Sequence, residues 1–177
     1  MTLRRAHHDY NYYKLRTEGT SLTGGEKMGY VYAEIDLTSE DDLALSRHGK
    51  LPQDEVRTMK VRALVDSGAW DLTISEEIRQ QLGLPLVGKD WAQLADDTML
   101  EIDLAGPIHV RFETQTIIVH KAIVLPTTSD VLLGAYTMQG LDVYIDPRSE
   151  RLVIPPQTPD NPKKKIRYYR RAVSLSI

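Results

Sequence analysis

The chain has 177 residues, of which 41% are hydrophobic, and it contains nine prolines and no cysteine. This composition predicts one soluble globular domain, and the missing cysteine excludes disulfides, thiolate metal sites and cysteine catalysis. No run of 18 apolar residues occurs, and no apolar segment follows the charged start, so neither a membrane span nor a secretory signal is predicted. We expect a cytoplasmic protein.

The net charge of −3 is distributed unevenly along the chain. Residues 28–156 hold 11 basic and 21 acidic side chains, whereas residues 157–177 hold six basic side chains and one acidic side chain. Residues 1–27 show no sustained hydrophobic period and include a Gly/Ser/Thr-rich run. We therefore predict a poorly ordered extension at 1–27, a folded domain at 28–156 and a basic tail at 157–177.

Strands and short helices alternate in the first half of the predicted domain. A strand over 28–37 is followed by Ser39, which is typical of the residue that caps the start of a helix. Apolar and basic residues then alternate over 60–65, which predicts a strand with one buried face. Ser75 is a good N-cap for a second helix over 76–82.

The second half of the domain is predicted to be rich in strands. A hairpin over 91–103 has its turn near residues 93–98. The further predicted strands are 108–113, 116–124, 131–134, 141–146 and 151–154. Together these patterns predict a mostly β domain with one or two short helices.

Asp66 lies where a strand that becomes apolar on both faces ends in a turn. Ser67 supplies a small hydroxyl, and Gly68 permits a tight turn. A carboxylate with apolar residues behind it is costly to bury unpaired, and such positions often carry acid–base chemistry. Taken alone, however, an aspartate in this position is more often a turn-former that accepts hydrogen bonds from nearby N–H groups.

Two segments resemble the retropepsin-type aspartic proteases. Ala63-Leu-Val-Asp-Ser-Gly-Ala69, followed by Leu72-Thr-Ile-Ser75, resembles the active-site segment of that family. Further on, Val131-Leu-Leu-Gly134 is similar to the apolar segment that follows the flap. The resemblance covers residues 28–156 and is closest to small prokaryotic single-domain members. It implies a closed β-barrel or sandwich that acts as a homodimer.

The resemblance also implies how the motif residues function. Asp66 would be catalytic, and because the chain has one Asp-Ser-Gly, the second carboxylate would come from Asp66 of a second copy. Two close carboxylates share one proton, so that one acts as base and the other as acid. The residues that would brace the active site are Ser67, Gly68 and Ala69. The apolar segment that completes the fold around them is Leu132, Leu133 and Gly134.

The hairpin over 91–103 would form a flap that folds over an extended peptide or protein substrate. The flap residues that would bind this substrate are Leu94, Ala95, Asp96, Asp97 and Thr98. Two positions depart from the family pattern. Asp97 replaces a common glycine, and Ala135 replaces a polar or charged residue that braces the dimer in retroviral members.

Other classes of site are poorly supported by the sequence. The five histidines include no His-x-x-x-His pair, no Gly-x-Ser-x-Gly occurs, and no metal or organic cofactor is implied. The main alternative is a catalytically inactive dimer of the same fold that binds peptides. A third possibility is a small subunit that the basic run at 163–171 tethers to RNA or an acidic partner. Nucleic-acid binding is not favoured, because the acidic domain would repel phosphates.

Overall fold

The computed structural model describes residues 30–93, 99–125 and 130–156. These ranges contain eleven β-strands, three α-helices and one short 3₁₀ helix. The strands are β1 (Val31–Ser39), β2 (Thr58–Asp66), β3 (Thr73–Ser75), β4 (Leu86–Gln93), β5 (Met99–Ala105), β6 (Ile108–Phe112), β7 (Gln115–Val119), β8 (Ala122–Leu125), β9 (Val131–Gly134), β10 (Tyr144–Asp146) and β11 (Arg151–Val153). The helices are α1 (Glu40–Arg47), α2 (Glu76–Gln81) and α3 (Ala135–Leu141), and the 3₁₀ helix is Gln53–Glu55.

Nine strands form one mixed sheet in the order β4-β5-β8-β3-β9-β2-β1-β6-β7, while β10 and β11 pair separately. The pairs β2–β9 and β3–β8 are parallel, and the other neighbours are antiparallel. The mostly β prediction is confirmed. The sheet is a curled half-barrel rather than the closed barrel or sandwich we expected, because β4 and β7 each have one paired neighbour within the described residues.

One cluster of buried apolar side chains holds the strands and helices together. In β1 the buried residues Val31, Ala33, Ile35 and Leu37 alternate with more exposed ones, which is the period expected of a strand with one face toward the core. The largest fully buried apolar side chains are Ile35, Leu37, Leu72, Ile74, Leu82, Leu84, Ile108, Leu133, Leu141 and Val110. Their removal from water is the main favourable contribution to folding.

The first two helices begin where the sequence predicts. The hydroxyl of Ser39 accepts a hydrogen bond from the N–H of Asp42 at 3.4 Å, and that of Ser75 accepts one from the N–H of Ile78 at 3.2 Å. Each bond satisfies an N–H that the first helical turn leaves without a partner. No helix in the described ranges is long and apolar enough to cross a membrane.

Three features of the second half differ from the sequence prediction. Helix α3 was not predicted, so the described residues contain three α-helices instead of one or two. It begins at Gly134 without a side-chain cap, and its Gly140 contacts Ile117 so closely that a Cβ would collide with that side chain. The strand expected over 141–146 starts only at Tyr144, and the strand expected over 116–124 divides into β7 and β8.

Candidate active site

Asp66 is the last residue of β2, and a tight turn follows it directly. The N–H of Ala69 donates a hydrogen bond to the carbonyl of Asp66 at 3.2 Å, which closes a four-residue β-turn. Val65 behind the turn is buried, Asp66 is half-buried, and Ser67 and Gly68 are exposed. The strand therefore brings one carboxylate from the core to the surface, where a substrate can reach it.

Gly68 fixes the orientation of the Asp66 carboxylate. Its N–H donates a hydrogen bond to Asp66 Oδ1 at 2.8 Å. A Cβ on Gly68 would lie 3.1 Å from the same oxygen, which is tighter than most real contacts. A larger residue would therefore push the carboxylate away from the N–H that holds it.

Strand β9 supports the turn from the neighbouring position in the sheet. It lies parallel to β2, with Leu132 beside Leu64, Leu133 beside Val65, and Gly134 beside Asp66. Leu133 is fully buried. The parallel pairing with β9 thus places the predicted Leu132–Gly134 segment directly against the strand that ends in Asp66.

Gly134 is the point of closest approach between β9 and the segment that leaves the turn. A Cβ there would lie 2.7 Å from both the carbonyl carbon and the carbonyl oxygen of Trp70, and closer still to the carbonyl oxygen of Asp71. Because these neighbours are backbone atoms, they move only if the chain itself moves. Any side chain at Gly134 would displace the segment just after the Asp66 turn.

Two hydrogen bonds then join the turn to the start of α3. The N–H of Ala135 donates to the carbonyl of Ala69 at 2.8 Å, and the N–H of Tyr136 donates to the carbonyl of Trp70 at 2.9 Å. The rings of Trp70 and Tyr136 stack, with centroids 6.4 Å apart and planes inclined by 27°. The sequence did not reveal this pair, because its members are far apart in the chain and meet only through the pairing of β2 with β9.

Asp71 lies half-buried where β4 approaches the turn. Burial raises the pKa of Asp71 above its usual value, and the negative charge of Asp90 on β4 raises this pKa further. The two carboxylates therefore repel each other between the turn and the β4–β5 hairpin. No sequence motif marks either residue as part of the site.

The predicted hairpin is confirmed in its two strands. β4 and β5 pair antiparallel, with Lys89 opposite Asp103 and Trp91 opposite Glu101. The residues expected at the tip of the flap lie outside the described residues: Leu94, Ala95, Asp96, Asp97 and Thr98. Within the described ranges, no group of three or more His, Asp or Glu side chains is arranged to hold a metal ion.

Residues 55–137 match a family model described as aspartyl protease. This range contains both the Asp66 turn and the Leu132–Gly134 segment. This segment is therefore similar to aspartyl proteases. The resemblance seen in the sequence is thereby confirmed, and the match to the aspartyl protease family extends over just under half of the chain.

Among solved structures, the chain is similar to the retroviral protease-like domain of Ddi1 from Leishmania major. The two share 14% sequence identity and superpose with a TM-score of 0.43. The alignment covers 70% of this chain and 88% of that chain. No curated protein has a significantly matching sequence.

Proposed function

We propose that the chain is an aspartic endopeptidase in which two copies each contribute Asp66 to one catalytic pair. The observation that supports this most directly is the Asp66 turn, whose carboxylate is oriented by the Gly68 N–H and whose backbone is braced by Gly134. The sequence contains one Asp-Ser-Gly, so a pair of such carboxylates needs a second copy of the chain. An isologous dimer, with its two-fold axis between the two carboxylates, meets that need.

The proposed chemistry follows from the closeness of two like charges. Two carboxylates that share a site cannot both ionise readily, so the pair holds one proton. The ionised Asp66 takes a proton from a water molecule, whose oxygen attacks the peptide carbonyl carbon. The protonated Asp66 supplies the acid, and the leaving nitrogen gains a proton as the C–N bond breaks. No metal or organic cofactor enters this scheme.

The remaining residues have supporting functions in this proposal. Ser67 braces the two turns across the dimer, and Ala69 leaves room for the substrate backbone. The β4–β5 hairpin covers an extended peptide and forms strand-like hydrogen bonds with it. The folded unit is the domain at 28–156, and the substrate is a peptide or an exposed segment of a protein.

The test compares wild type with Asp66→Asn on a diverse peptide mixture between about pH 4 and 7, a range that brackets proton sharing by a carboxylate pair. New peptide termini are identified by mass spectrometry. We expect cleavage by wild type and a loss of at least about 100-fold in Asp66→Asn, because the substitution removes the acid–base group. Asp54→Asn makes the same chemical change at an exposed position of the 3₁₀ helix and is expected to cleave normally.

Two results would contradict the endopeptidase proposal. Equal cleavage by wild type and Asp66→Asn would assign the activity to another residue or to a contaminant. A wild-type dimer that cleaves nothing across the pH range would favour the peptide-binding dimer instead.

A further inference from the structure

Trp70 and Tyr136 form a stacked pair, here called the aromatic pair, on the surface beside the Asp66 turn. The exposed fractions of these residues are 67% for Trp70 and 47% for Tyr136. Tryptophan is highly buried on average in folded proteins, so a largely exposed Trp stacked on a second exposed ring is an unusual surface feature. Exposed apolar patches next to a functional site often mark an interaction surface.

The aromatic pair lies close to the carboxylate in three dimensions. The β-turn that begins at Asp66 keeps the Cα atoms of Asp66 and Ala69 less than about 7 Å apart. One further residue adds about 3.8 Å, so the Cα of Trp70 lies within about 11 Å of the Cα of Asp66. Tyr136 lies nearby as well, because its N–H bonds to the carbonyl of Trp70 and it follows by two residues Gly134, which is beside Asp66 in the sheet.

We propose that the aromatic pair is a contact between two copies of the chain, in the dimer that brings the two Asp66 carboxylates together. This inference rests on the proposed function, because it takes the two-fold axis to run between those carboxylates. A typical stable interface buries about 800 Å² on each partner, which corresponds to a roughly circular patch of about 16 Å radius. A patch of that size centred on the axis extends to the aromatic pair.

The residue types of the aromatic pair and its fixed backbone are typical of residues that contribute strongly to an interface. Trp and Tyr are enriched at the residues that contribute most to binding, because they bury much apolar area and have few rotatable bonds. Here both rings are attached to backbone that is already fixed by the bonds from Ala135 to Ala69 and from Tyr136 to Trp70. Little conformational freedom remains to be lost when a partner packs against them. A two-fold dimer contains two aromatic pairs, one on each side of the axis, and both would be buried in the interface.

The experiment measures the dimer dissociation constant by sedimentation equilibrium for the full chain and for Trp70→Ala, Tyr136→Ala and Tyr144→Ala. Tyr144 is the matched control, because its exposed fraction of 47% equals that of Tyr136 while it lies in β10. We expect Trp70→Ala to weaken the dimer at least about 30-fold, as for a residue that dominates an interface, and Tyr136→Ala to weaken it in the same direction. Tyr144→Ala should stay within about twofold of wild type. Circular dichroism checks that each variant is folded.

Activity at increasing protein concentration separates the proposed contact from a wall of the substrate cleft. If the aromatic pair joins two copies, Trp70→Ala regains wild-type kcat and KM once its concentration exceeds its own dissociation constant. An unchanged dissociation constant, with or without a raised KM, would overturn the inference and leave the endopeptidase proposal standing.

The dissociation constant is also measured for Asp66→Asn, because this measurement does not depend on cleavage activity. If Trp70→Ala loses the dimer both alone and combined with Asp66→Asn, the proposed contact is supported. If wild type also cleaves nothing, the endopeptidase proposal fails while the contact stands. A wild type that stays monomeric at every concentration would overturn both.

Discussion

Replacement of Gly134 by alanine tests whether β9 positions the Asp66 turn. A Cβ at this residue would lie 2.7 Å from the carbonyl carbon and oxygen of Trp70, whereas ordinary contacts begin at 3.4 Å. The Trp70–Asp71 backbone must therefore move by at least about 0.7 Å, and overpacking of this kind costs about 1–3 kcal/mol of stability. Because a displacement of about 1 Å at a reacting group can cost about 100-fold in rate, we expect Gly134→Ala to lose close to that factor in kcat/KM.

The assay combines urea denaturation with peptide cleavage normalised to the folded fraction. Gly106→Ala is the control, because a Cβ at Gly106 would also collide with backbone, at the carbonyl of His120, but in the connection between β5 and β6. We expect the control to lose stability and to keep its kcat/KM per folded molecule. A Gly134→Ala variant with wild-type stability and wild-type cleavage would refute the idea that Gly134 supports the Asp66 turn.

Three further predictions concern stability. Arg57→Met should lower the free energy of unfolding, measured by urea denaturation, by about 1–3 kcal/mol. The substitution leaves the buried Asp42 carboxylate without the two side-chain hydrogen bonds of 2.6 Å that lower the pKa of Asp42. An unchanged urea midpoint would contradict this prediction. Hydrogen bonds from Arg79 lower the pKa of Glu76 to about 2, so the stability that they contribute is complete above about pH 4.5 and is lost as the pH falls toward about 2. Glu76→Gln should remove this part of the pH dependence of the unfolding free energy. Identical pH profiles of stability for Glu76→Gln and wild type would disprove this prediction. Thr137→Val should raise the thermal midpoint and increase the free energy of unfolding by about 1 kcal/mol, because the hydroxyl of Thr137 is buried with no hydrogen-bond partner among the described residues. A lower midpoint would show that this hydroxyl does have a hydrogen-bond partner.

Local signals account for the features that sequence reasoning predicted well. The alternation in β1 and the caps at Ser39 and Ser75 each depend on residues within a few positions of one another. The turn at Asp66 is similarly local, since Ser67 and Gly68 follow it directly. Such patterns fix where a strand ends and where a helix begins, whatever the rest of the chain does.

Helix α3 shows where local signals fail. Its sequence contains Gly140 and starts after Gly134 without a side-chain cap, so propensity gives little reason to expect a helix. The helix forms because Thr137, Met138 and Leu141 become buried when it packs against β7 and β9. Tertiary burial outweighs the weak propensity.

Adjacent residues in the sequence suffice to predict that Asp66 ends a buried strand at a turn with a glycine, and the resemblance to retropepsins adds that Leu132–Gly134 completes the motif. Tertiary contacts are needed to place the backbone of Gly134 against that of Trp70 and to stack the ring of Tyr136 on that of Trp70 beside this turn. This difference arises from distance along the chain. A turn is specified by adjacent residues, whereas these neighbours meet only after parallel pairing of β2 with β9 has set their register.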